Sequence, residues 1–60
     1  MKAIELKQGQ RFAYYKLGKW SIKHRIAEII DLEIANNLFI KTASGKTLVI
    51  AKDSQVKLTD

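Results

Sequence analysis

The feature that most constrains this chain is a two-beat alternation of apolar and polar residues, punctuated at short intervals by turn residues. In residues 37–43, NLFIKTA, Leu38, Ile40 and Thr42 fall on one side, and Phe39, Lys41 and Ala43 on the other. A period of two belongs to a β-strand with one buried face. Ser44-Gly45-Lys46 follows as a hairpin turn and leads into Thr47-Leu48-Val49-Ile50-Ala51. Ala35-Asn36-Asn37 suits a second tight hairpin, because asparagine tolerates positive φ. The same alternation puts Ile4 and Leu6 together in residues 2–7, opposite Ala3, Glu5 and Lys7. Gln8-Gly9-Gln10 reads as a turn, and Arg11–Lys16 as an aromatic-rich strand. Residues 52–55 read as a short 3₁₀ turn before a last strand carrying Val56 and Leu58.

One segment reads two ways. In residues 21–37, SIKHRIAEIIDLEIANN, Ile22, Ile26, Ile29 and Ile30 recur at helical spacing, with Ser21 placed as an N-cap. As a strand, Ile26, Ile30, Leu32 and Ile34 share one parity, with Glu28 the exception. Five isoleucines in residues 22–34 favour the strand, since β-branched side chains lose rotamer freedom in a helix. The expectation is therefore an all-β chain, with an α+β alternative in which residues 22–34 form a helix.

Sixty residues make one domain, near the lower limit for independent folding. Five short strands joined by tight turns in that length predict a small antiparallel barrel, whose closure protects strand edges. The rhythm of Leu6-Lys7-Gln8-Gly9-Gln10-Arg11-Phe12, then Arg25-Ile26-Ala27-Glu28-Ile29-Ile30, then Asn37–Thr42 resembles the SH3-like small barrels. Ser44-Gly45-Lys46 and the step before Val56-Lys57-Leu58 follow in the order that resemblance implies. It implies a five-stranded SH3-like barrel spanning residues 1–60. One enzymatic branch of such barrels, the type II dihydrofolate reductases, carries a Val-Gln-Ile-Tyr strand motif. Leu48-Val49-Ile50-Ala51 stands in its place, without the glutamine or the tyrosine.

The residue inventory argues against catalysis and against a cofactor. There is no cysteine, so disulfides, thiolate nucleophiles and thiolate metal sites are all excluded. His24 is the sole histidine; Lys23 and Arg25 on either side favour its neutral form, and an exposed or loop-packing role is expected. Glu28, Asp31 and Glu33 are expected on a solvated face, pairing with Lys41 across a hairpin. No apolar run approaches the roughly 20 residues of a membrane span, and the first ten residues lack a leader's apolar stretch. The expected setting is cytoplasmic, with no membrane partner.

Charge carries the functional signal. The net charge is +5, yet residues 1–25 hold seven Lys/Arg against the single acid Glu5. Residues 26–60 hold four lysines against five acids. Such asymmetry favours a polyanionic partner. Residues 11–25 hold Arg11, Lys16, Lys19, Lys23 and Arg25 with four of the five aromatic rings and no acid. Cations along a backbone with flat rings for stacking are what nucleic acid requires. If Leu6 points inward, Phe12 and Tyr14 belong to the core, and Arg11, Ala13 and Tyr15 face out. Trp20 suits either a surface ring or a lid over the barrel end.

Three readings follow. The first is a non-catalytic DNA- or RNA-binding barrel using Arg11, Tyr15, Lys16, Lys19, Trp20, Lys23 and Arg25. The second is a protein-interaction adaptor or inhibitor of phage or plasmid type, anchored by Tyr15 and Trp20. The third is a homo-oligomer paired through the edge strand Thr47–Ala51, whose Leu48-Val49-Ile50 run is apolar on both faces.

Overall fold

In the computed structural model, which describes residues 1–59, the chain is a curled antiparallel sheet forming a half-barrel. Its strands are β1 (Arg11–Lys16), β2 (Lys19–Trp20), β3 (His24–Asp31), β4 (Asn37–Thr42), β5 (Thr47–Ala51) and β6 (Val56–Leu58). β2 is only the two-residue return arm of the first hairpin, so five strands build the wall. β3, β4 and β5 follow one another as a meander from β1, and β6 returns to pair with β1. The α+β alternative is overturned, because residues 24–31 pair along both β1 and β4 as a strand.

β1 is the hub. Its even-numbered residues bond toward β2 and β3, which occupy successive halves of one edge. Tyr15 pairs with Trp20, and Phe12 with His24. Its odd-numbered residues bond toward β6: Tyr15 N–H donates to the Gln55 carbonyl at 3.0 Å, and the Arg11 carbonyl accepts from Thr59 N–H at 2.9 Å. Between β2 and β3 the partner strand gains one residue, and Ser21 fills the gap in the ladder. Its N–H donates to the Tyr14 carbonyl at 2.8 Å, and its Oγ accepts the Tyr14 N–H at 3.0 Å.

The turns follow from the residues that make them. Leu17 and Gly18 link Lys16 to Lys19 with φ of 52° and 80°. Positive φ at both central positions marks a type I′ turn, whose hand matches the twist of the strands. Gly18 adopts that conformation freely, whereas Leu17 meets a Cβ clash worth about 1–2 kcal/mol. Leu17 is also 91% exposed, so no packing offsets the strain. Leu17→Asn is expected to raise stability by about 1 kcal/mol, read as a higher thermal midpoint; an unchanged midpoint would rule out strain at the tip. Between β4 and β5, Gly45 (φ 90°) ends a three-residue loop. Thr42 Oγ1 braces that loop by accepting Lys46 N–H at 3.1 Å.

The core lies inside the curl. Phe12, Ile26, Leu38, Ile40 and Val56 are fully buried; Ala3, Leu6 and Ile50 complete the cluster, with Tyr14, Ile29 and Leu48 packed against it. Three expectations are corrected here. Residues 3–5 form a single 3₁₀ turn rather than a strand, so Ala3 and Leu6, three apart, are buried while Ile4 is exposed. In β3 a bulge at Ala27 shifts the parity: Ile29 opposes the buried Ile40, and Ile30 turns outward against Phe39. The β3–β4 loop spans residues 32–36, longer than the Ala35-Asn36-Asn37 hairpin expected, and closes through Ala35 N–H on the Leu32 carbonyl at 2.8 Å. The predicted turn after β5 is present, with Ser54 N–H donating to the Ala51 carbonyl at 3.0 Å. Among the described residues, no helix is long and apolar enough to cross a membrane.

Candidate nucleic-acid interface

Strand alternation sorts the basic aromatic segment onto two faces. On β1, Arg11, Ala13 and Tyr15 point away from the core. Directly opposed residues share a face, so Trp20 joins Tyr15, Lys57 joins Ala13, and Arg25 joins Arg11. The result is one outer surface with an aromatic end and a cationic end. The Tyr15 and Trp20 rings meet edge to face, centroids 5.2 Å apart at 71°. Lys57 Nζ lies 4.4 Å from the Trp20 ring centroid, a cation–π contact. Tyr15 is 43% and Trp20 38% exposed; Trp20 is therefore a surface ring and not a lid on the core.

Ala13 faces this surface as expected, yet it is buried. Its register partner across the β1–β6 ladder is Lys57. Among the described residues no acid lies in β1, β2 or β6. The acids of β3 are engaged elsewhere: Glu28 with Lys41 at 3.9 Å, the pairing expected from sequence, and Asp31 with Lys52 at 2.8 Å. Among the described residues Arg11, Lys16, Lys19, Arg25 and Lys57 enter no ion pair.

The seven residues singled out from sequence thus divide. Arg11, Tyr15, Trp20 and Arg25 come together on the outer surface. Lys16 and Lys19 oppose each other one position further on, which turns both to the other side of the β1–β2 hairpin. Lys23 sits in the link between β2 and β3. Lys57 was missed, because it lies 32 positions beyond the end of the segment at Arg25 and only the β1–β6 register brings it in.

His24 corrects a further expectation. It is buried, 8% exposed, with its ring stacked on Tyr14 (5.9 Å, 10°) and tilted against Phe12 (5.9 Å, 41°). Burial depresses its pKa below 6.5, and the Lys46 charge adds to the effect. The neutral form was expected; its causes are desolvation and Lys46, not the flanking Lys23 and Arg25. The unfolded chain takes up this proton more readily than the folded one, so the stabilisation is complete above pH 6.5 and is lost as pH falls below it. Chemical denaturation at about pH 7 and pH 5 should show a loss of stability that His24→Phe diminishes. An equal loss in both proteins would mean that the carboxylates alone set the acid limit.

Among the described residues no three metal-ligating side chains come together. A scan against protein-family models finds no match to this chain, and searches of curated proteins and of solved structures find none either.

Proposed function

We propose that this protein binds nucleic acid, without catalysis, through the outer surface of β1, β2 and β6 and the start of β3. The observation that carries the reading is the exposed Tyr15–Trp20 pair continuing into Lys57, Arg11 and Arg25, with no acid among the described residues of β1, β2 and β6. Both rings lie outside the core cluster, and flat rings beside cations match a single strand: bases stack while phosphates meet the Lys and Arg heads. Lys16 and Lys19, on the other side of the hairpin, add to the field that attracts a polyanion. The meander whose last strand returns to the first supports reading the half-barrel as SH3-like, and the cytoplasm is the setting where such a partner is met.

Titration of single- and double-stranded DNA and RNA at two salt concentrations tests the proposal. One phosphate on each of Arg11, Arg25 and Lys57 corresponds to a slope of about −2 in log affinity against log salt for a single strand. Absence of binding at low salt to all four overturns the reading. Capture of one specific protein, with binding that survives high salt, would then assign Tyr15 and Trp20 to an adaptor or inhibitor surface.

A further inference from the structure

β5 pairs with β4 alone. Thr42 N–H donates to the Lys46 carbonyl, and Lys52 N–H to the Asn36 carbonyl, both at 2.8 Å. Alternation along an antiparallel strand then turns Lys46, Leu48, Ile50 and Lys52 toward β4, and the N–H and C=O groups of Thr47 and Val49 toward the open edge. Beyond that edge a cleft of about 260 Å³ separates β5 from the end of β1, lined by Tyr14, Tyr15, Lys16, Leu48 and Ile50 among others. This is the seam along which the half-barrel stays open. On the outer side, Ile30, Phe39 and Val49 lie directly opposite one another across β3, β4 and β5. The row ends at the edge with Val49 60% exposed.

We propose that this edge binds an extended peptide segment, apolar in its middle and acidic at its ends, which adds to the sheet as a strand. The outward backbone groups of Thr47 and Val49 call for a backbone partner, which strand addition supplies. A residue beside Val49 extends the Ile30–Phe39–Val49 row. Its neighbours, pointing the other way, enter the cleft over Tyr14 and Leu48. Acidic ends meet Lys16 in the cleft and Lys46 at the start of β5. A second copy fits this edge poorly. Two β5 strands paired antiparallel about Val49 set Lys46 against Lys52, and each molecule brings a net charge of +5. The edge of β5 is distinct from the proposed nucleic-acid surface, although the cleft beside it shares Tyr15 and Lys16 with that reading; the inference does not depend on nucleic-acid binding.

The probe is a capped peptide of sequence Glu-Val-Thr-Val-Thr-Val-Glu, with a control N-methylated at alternate amides so that one backbone edge cannot pair. The readout is amide chemical shift and hydrogen exchange at Thr47 and Val49. Millimolar peptide is expected to shift and protect both amides, and the N-methylated control, which loses several backbone rungs, to bind at least about tenfold more weakly. Val49→Pro removes an outward N–H without touching the β4 ladder, a position where an edge strand accepts proline; the same weakening is expected. The N-methylated control keeps the test independent of whether that variant folds. Undisturbed β5 amides, or equal binding of the control, would overturn the proposal. So would protection of the same amides without peptide that grows with protein concentration, which would assign the edge to a second copy.

Discussion

Phe12→Ala is expected to leave most of the chain unfolded at room temperature. Phe12 is fully buried at the hub strand, with His24 opposite it on one edge, Leu58 on the other, and its ring 6.5 Å from that of Tyr14. Truncating a buried phenylalanine removes about 3–5 kcal/mol through lost transfer free energy and the cavity left behind. A core supplied by a chain of this size rarely gives more than about 3–5 kcal/mol in total. The two figures are comparable, so a single truncation consumes the margin. Circular dichroism with a denaturant titration reads the outcome, and a cooperative transition within about 1 kcal/mol of wild type would show that the core does not converge on Phe12.

The second large effect is expected on binding and not on folding. Trp20→Ala and Tyr15→Ala should each weaken single-strand affinity by roughly 5- to 150-fold, the equivalent of about 1–3 kcal/mol for a stacked base. Both rings lie outside the core cluster, so the thermal midpoints should move little. Each ring supports the other edge to face, so the double variant should lose less than the sum of the single losses. The cationic end behaves differently: replacing Arg11 or Arg25 should flatten the salt dependence by about one phosphate contact and affect all sequences alike. A ring variant that retains full affinity while losing a protein partner would move Tyr15 and Trp20 to a protein surface.

Most of the wall was legible because its strands obey a local rule. The alternation through residues 37–43 places Leu38, Ile40 and Thr42 inside, and they are buried. Departures arose where pairing or a different period intervened. Ala3 and Leu6 are three apart, which is the 3₁₀ spacing, but six residues hold too few apolar positions to separate a period of three from one of two. The bulge at Ala27 has no local cue, since it is imposed by the register of β3 against β4. His24 carries a polar label, and its burial depends on Tyr14 and Phe12 stacking around it. The candidate surface was half legible. Parity along β1 separates Tyr15 from Lys16, whereas Lys57 requires a pairing between the two ends of the chain.

The Ser21 rung has a mechanical consequence. At that position one of the two bonds between Tyr14 and Ser21 runs to the serine hydroxyl, itself donating to the Ile22 carbonyl at 2.9 Å, and not to a backbone carbonyl. Tyr15 and Trp20 lie directly opposite each other beyond the rung, and Tyr15 N–H ties that end to β6 through the Gln55 carbonyl. Loss of the Ser21 hydroxyl is expected to loosen the Tyr15–Trp20 end of the sheet before the Phe12 end behind it.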